Sequence, residues 1–243
     1  MPLLETVGLT KAFGSLVAVD GVDLALSEGE VRAVIGPNGA GKTVFLHLVS
    51  GLLPPTRGRI RLDGVDISRL GIVDRVRRGI SRSFQITTLF PNLTVAENVR
   101  LAAQTTARGS RLDDRVGALL DLVDLGAAAR LAPPQLAHGD QRRLEIALAL
   151  APGPRLLLLD EPTAGMSLGE TGRTMELIRR INGEAGVSII IVEHDMRLIL
   201  KLAHRITVLD RGRVLAEGAP ADVAADSRVR EAYLGRGRHA ARL

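Results

Sequence analysis

Apolar residues fall into short blocks separated by turn-forming ones, and the spacing inside the blocks changes along the chain. Strand-like runs open it at 4–10, 17–19, 22–26 and 31–35, with Ser27-Glu28-Gly29-Glu30 as a tight connection. Residues 42–50 then read as a helix. After the turn Pro54-Pro55-Thr56-Arg57-Gly58, runs at 59–62 and 65–67 flank Asp63-Gly64 as a strand pair, and 68–78 predicts a helix ended by Gly79. Thr94-Val95-Ala96-Glu97 has the spacing of a capping box, so a helix is expected to start there and run towards Gln104. The interval 93–131 keeps helical periodicity with few β-branched runs, as a small helical lobe would. Strand signals return at 155–160, 187–192 and 205–210, alternating with helical stretches at 169–181 and 196–203. Strand and helix in alternation predict a parallel sheet covered on both faces, and Leu156–Leu159 suit a strand buried on both sides. Arg211-Gly212 reads as a hairpin tip. These blocks give one α/β domain over 1–235, with a helical lobe inserted at approximately 93–152 and a basic tail at 236–243.

Composition narrows what such a domain can do. At 243 residues and 46% hydrophobic content the chain can bury a sizeable core. No apolar run approaches the roughly 20 residues of a spanning helix, and Glu5 and Lys11 interrupt any signal-peptide core, so a protein soluble by itself is expected. Cysteine is absent, which removes disulfides and thiolate metal sites. The net charge is +5, with arginines gathered at 69, 75, 77, 78 and 82 and again from 228 to 242. Aromatic residues make up 2% of the chain and none interleaves with arginine, which argues against a nucleic-acid platform. The arginine clusters therefore read as solvated faces first and as a membrane-facing bias second.

The chemistry concentrates in Gly36-Pro37-Asn38-Gly39-Ala40-Gly41-Lys42-Thr43, a glycine-rich turn between strand 31–35 and helix 42–50. Backbone N–H groups of such a turn and of the helix N-terminus converge on one anion, so a nucleoside triphosphate is the expected occupant. Lys42 would bridge the outer phosphates and the Thr43 hydroxyl would hold Mg²⁺. Lysine is rare here, occurring only as Lys11, Lys42 and Lys201 among 32 basic residues. A compact ammonium fits within a ring of amides where a planar guanidinium does not. Further on, Asp160 and Glu161 end the leucine strand at the edge where α/β sheets bind ligands. Asp160 is the candidate Mg²⁺ carboxylate and Glu161 the candidate general base.

With these residues in order, the chain resembles the nucleotide-binding subunit of ATP-binding cassette (ABC) transporters over nearly its whole length. The resemblance rests on Phe13, the loop 36–43, Gln85 in Ser83-Phe84-Gln85, the signature segment Leu136-Ala137-His138-Gly139-Asp140-Gln141, Asp160-Glu161, Ala164-Gly165-Met166-Ser167 and His194. It implies a P-loop ABC-type nucleotide-binding domain with a mixed sheet core, an antiparallel β subdomain and a helical subdomain. It also implies ATP hydrolysis with Mg²⁺ by a head-to-tail dimer, each ATP lying between one chain's phosphate loop and the other's signature. Phe13 would stack on adenine, and Val44 would add its amide to the phosphate cradle. Ala137, Gly139 and Asp140 would serve the partner's ATP. Gln85 would join Mg²⁺ and the attacking water to a groove for a membrane subunit, walled by Phe84, Ile86 and Phe90. His194 would contact the γ-phosphate, and 164–167 would carry signals across the dimer. The partners implied are a second ATPase subunit, two transmembrane permease subunits and, indirectly, a solute-binding protein, at the cytoplasmic face of the cell membrane.

The runs 79–85, 136–145, Glu193-His194-Asp195-Met196 and Glu231-Ala232-Tyr233-Leu234-Gly235 look like ATPase subunits of branched-chain amino acid importers. Urea and other amide importers are similar alternatives, and a soluble ABC ATPase acting on ribosomes or DNA is a third. A GTPase is disfavoured, because none of the lysines sits in an Asn-Lys-x-Asp guanine reader. Three positions depart from the family pattern: Ala137 stands where serine is usual, Val44 replaces a second hydroxyl, and Ser167 stands where many relatives have an acid. The missing hydroxyl at 137 points to a heterodimer with one weakened ATP site, unless Gly139 and the helix amides suffice without it.

Overall fold

The computed structural model describes residues 1–83, 89–106 and 108–234. The chain forms two compact units, one from residues 1–75 and 188–243 and the other from 76–187.

In the first unit, β1 (Leu4–Phe13) lies between β2 (Leu16–Leu26) and β4 (Arg57–Leu62), and β5 (Val65–Asp66) pairs with β4; all four run antiparallel. β1 and β2 are longer and more continuous than the apolar runs suggest. Pairing from Leu4↔Leu26 to Phe13↔Leu16 carries both strands through polar residues, and Asp20-Gly21 is absorbed in irregular register rather than breaking β2. Cross-strand hydrogen bonds override local propensity there. β3 (Val31–Ile35) is buried along its length and runs parallel to β8 (Ser188–Val192) and β9 (Arg205–Asp210); β9 turns through Arg211-Gly212 into antiparallel β10 (Arg213–Gly218). Arg32 sits inside this apolar strand at 1% exposure. It is tolerated because Glu30 at 2.6 Å and Glu217 at 3.0 Å pair with it and the Ala25 carbonyl accepts at 2.8 Å. Helices α1 (Lys42–Ser50), α7 (Met196–Leu202), α8 (Pro220–Ala225) and α9 (Ser227–Leu234) complete the unit.

The stretch 68–78 is only partly helical: α2 is confined to Ile72–Arg77. Asp66 Oδ1 accepts from the Ser68 amide at 2.8 Å and from its hydroxyl at 2.6 Å, which holds 66–68 in a side-chain-closed turn in place of a first helical turn.

In the second unit, β6 (Ile80–Arg82) and β7 (Leu156–Asp160) pair in parallel, and every residue of both is buried. Around them stand α3 (Val95–Ala103), α4 (Ser110–Leu122), α5 (His138–Leu150) and α6 (Leu168–Gly183). α3 starts on Thr94 with the complete capping box that its spacing predicts. β6 carries too few residues to give a strand signal of its own, and its pairing with β7 makes it one.

Candidate active site

The phosphate loop follows β3 and opens α1. Gly36 has φ 150° and a Cβ there would lie 2.1 Å from the Leu209 carbonyl oxygen; Gly41 has φ 99° and its Cβ would lie 2.3 Å from that of Ala18. Only glycine fits either position, for both conformation and space. The Gly212 amide donates to the Ala40 carbonyl at 3.0 Å, so the tip of the β9–β10 hairpin supports the loop from behind. α1 has Gly41 as its N-cap and no side-chain cap, which leaves its first amides to an incoming anion. Lys42, 6% exposed, folds back and donates from Nζ to the carbonyls of Gly36 at 2.8 Å and Pro37 at 3.1 Å. Asn38 and Gly39 are exposed, and Thr43 and Val44 are half-buried on the first turn.

The far end of α1 is held by an arginine. Arg75 is fully buried and donates to the carbonyls of Leu48 at 2.6 Å, Val49 at 2.8 Å, Leu70 at 3.0 Å and Ser68 at 3.3 Å. Burial lowers its pKa to about 10, with a small opposing pull from Asp66. A cation on the last carbonyls of a helix also meets the negative end of its dipole. Arg75 and Arg82 therefore correct the reading of this arginine cluster as a solvated face; Arg69, Arg77 and Arg78 are exposed as expected.

Phe13 lies at the end of β1, 46% exposed, with the Lys11 ammonium 5.2 Å from its ring centre. The ring is thus half exposed, with the Lys11 ammonium over one face. His194 is exposed just after β8, and its amide donates to Glu193 Oε2 at 3.2 Å.

In the second unit, Asp160 closes β7 and Glu161 follows it. Asp160 is 2% exposed and its Oδ2 accepts from Arg82 Nη2 at 2.8 Å. Burial lowers the Arg82 pKa, and Asp160 works against that shift by charge and hydrogen bond. Glu161 is half-buried with φ 49°, a left-handed conformation that costs a non-glycine residue of order 1–3 kcal/mol and clusters at functional sites.

The signature segment places Ala137 at the N-cap of α5, without a side-chain cap. The carboxylate of Glu170 reaches its first turn instead: Oε1 accepts from the Gly139 amide at 3.2 Å, while Oε2 accepts from the Ser167 amide at 2.9 Å and hydroxyl at 2.6 Å. Those bonds, chiefly the ones from Ser167, hold the Glu170 carboxyl below its usual range. Ser167 is thereby a working N-cap for α6. Asp140 pairs with Arg143 at 2.5 Å.

Gln85, Phe84 and Ile86 lie outside the described residues. Phe90 is 52% exposed, and its backbone is fixed by the buried Asn98, which accepts from its amide at 2.9 Å and donates to its carbonyl at 3.1 Å. Sequence reading missed Arg82, Asn98 and Glu170 as supports of the site. The only available signal was for Glu170, whose offset of three from Ser167 is that of a capping box.

Comparison with known proteins adds five findings. The ABC transporter family model matches residues 19–164, and that of the branched-chain amino acid ATP-binding cassette transporter matches 213–239. The high-affinity branched-chain amino acid transport ATP-binding protein BraF of Pseudomonas aeruginosa is 39% identical, covering 96% of this chain and 98% of that one. The ADP conformation of the ATP-binding cassette MJ1267 superposes with a TM-score of 0.86 at 26% identity, covering 97% of this chain and 100% of that one. The dimeric post-hydrolysis state of the cassette MJ0796 bound to ADP and Pi gives 0.79 at 30% identity, covering 89% and 98%.

Proposed function

Because the chain belongs to the ATP-binding cassette transporter family, it is an ATP-binding, ATP-hydrolysing domain, and we propose that it powers an importer of branched-chain amino acids. The observation that carries the substrate class is the 39% identity to BraF across almost the full length of both chains. Among the described residues no helix is long and apolar enough to cross a membrane, so the passage itself falls to other subunits in this reading. Those partners are two transmembrane permeases, fed by a solute-binding protein, with a second ATPase subunit completing the dimer. The chain then works at the cytoplasmic face of the membrane.

The proposed roles follow the chemistry of each group. The amides of 36–44 and the Lys42 ammonium hold the phosphates, and Phe13 stacks on the adenine. Thr43, Asp160 and Gln85 are the Mg²⁺ residues. Hydroxyl, carboxylate and amide oxygens are the hard donors Mg²⁺ takes, and in nucleotide sites it needs only one or two protein oxygens besides phosphates and water, so the donor set fits. When bound, Mg²⁺ neutralises charge on the phosphate oxygens. Glu161 takes the proton of the attacking water, and His194 orients towards the γ-phosphate. Ala137, Gly139 and Asp140 present the α5 N-terminus to ATP held by the partner subunit.

In the assembled transporter, Glu161→Gln should lower ATP turnover by about 10²–10⁴-fold with ATP binding retained. Lys42→Ala should instead weaken ATP binding itself. Near-wild-type hydrolysis by Glu161→Gln would remove Glu161 from the role of base, and proteoliposome uptake of leucine set against urea identifies the cargo class.

A further inference from the structure

Arg82 and Asp160 face each other inside the second unit. β6 and β7 run parallel with Arg82 beside Leu158, so Asp160 lies two residues farther along the neighbouring strand, about 6–7 Å on, within reach of an extended arginine. The contact is 2.8 Å, and the two side chains are 4% and 0% exposed. The carboxylate assigned above to Mg²⁺ therefore already carries a resident cation, fixed in a dry environment where neither charge is screened by solvent.

We propose that Arg82 is a positioning residue that competes with Mg²⁺ for Asp160, so that the guanidinium sets how much Mg²⁺ the ATP site requires. Two cations share one carboxylate when the metal is bound, and each weakens the other's hold. A purely structural counter-ion would neutralise Asp160 equally well, but its removal would leave the Mg²⁺ requirement where it was. The inference rests on Asp160 being the Mg²⁺ carboxylate of the ATP site.

The test is equilibrium binding of radiolabelled ATP to the full chain as Mg²⁺ is raised from an EDTA baseline. The Mg²⁺ concentration at half-maximal tightening is read for wild type, Arg82→Met and Arg82→Lys. Arg82→Met should lower that midpoint by about tenfold, and Arg82→Lys, with an ammonium in place of the guanidinium, by about two- to threefold. ATP binding in EDTA should be unchanged in both. An unchanged or raised midpoint overturns the proposal. If Arg82→Met does not fold, Arg82→Lys decides alone by the same criterion. Asp160→Asn separates this inference from the reading beneath it: if Mg²⁺ still tightens ATP binding to that variant as in wild type, the assignment of Asp160 fails, whatever Arg82 does.

Discussion

At the phosphate loop the groups proposed to hold the nucleotide are backbone amides, set in place by Gly36 and Gly41, whose neighbours leave no space for a Cβ. At the end of β7 the groups proposed for that task are carboxylates, of which Asp160 is held by a guanidinium 78 residues away in sequence. The first region can be built by local chain geometry, because the turn and the helix start are contiguous. The second needs two strands from distant parts of the sequence to pair before its charges are balanced. Removing a loop residue should therefore damage ligand binding with little effect on folding, while removing a partner of a buried charge strikes stability.

Arg75 is where that contrast is most easily broken, since it makes the helix behind the loop depend on a side chain. Arg75→Met should take the guanidinium donor from the buried Val49 carbonyl and leave the Leu48 carbonyl only the Gly51 amide at 3.2 Å, lowering unfolding free energy by about 1–3 kcal/mol, measured by urea denaturation. A loss below about 1 kcal/mol, the net worth of one ordinary hydrogen bond, would mean that water replaces the guanidinium and that the loop region stands on its backbone alone.

Gly41→Ala sharpens the contrast from the other side. Its Cβ would meet the Ala18 carbonyl oxygen at 2.3 Å, so the loop has to move to accept it. ATP affinity should fall by roughly ten- to a hundredfold, about 1.4–2.7 kcal/mol, with a smaller change in melting temperature. If the melting temperature collapses while affinity per folded molecule is kept, the glycine serves folding rather than the ligand.

Ala137→Ser has the smallest expected effect and two parts. A serine at this N-cap should stabilise α5 by about 1 kcal/mol without any nucleotide, visible in thermal unfolding of the isolated chain. A further gain in turnover at the partner's site, measured in the assembled transporter with this chain carrying Glu161→Gln, would show that the hydroxyl serves ATP as well. Stabilisation without that gain would mean that Gly139 and the helix amides already suffice.

The same contrast explains what the sequence made legible. Helix α1 and strand β3 agree with their predicted bounds, because a glycine-rich turn between an apolar run and a helical run is specified by neighbours in sequence. The capping box at Thr94 is equally local. The buried arginines were not legible. Arg75 and Arg82 look like members of a surface cluster until folding brings Leu48, Val49 and Asp160 to them. The turn at 66–68 was missed for a related reason: helical periodicity registers apolar spacing but not the competing acceptor on Asp66.

The carboxylate of Glu170 touches Gly139 with one oxygen and Ser167 with the other. A Cβ at 139 would lie 2.9 Å from that first oxygen, so even alanine there must push the glutamate tip aside. Positions 139, 167 and 170 are thereby bound into one inheritable unit. A change at any one alters which changes the other two can accept, and a library randomising these three codons together should return combinations that single-site scanning would discard.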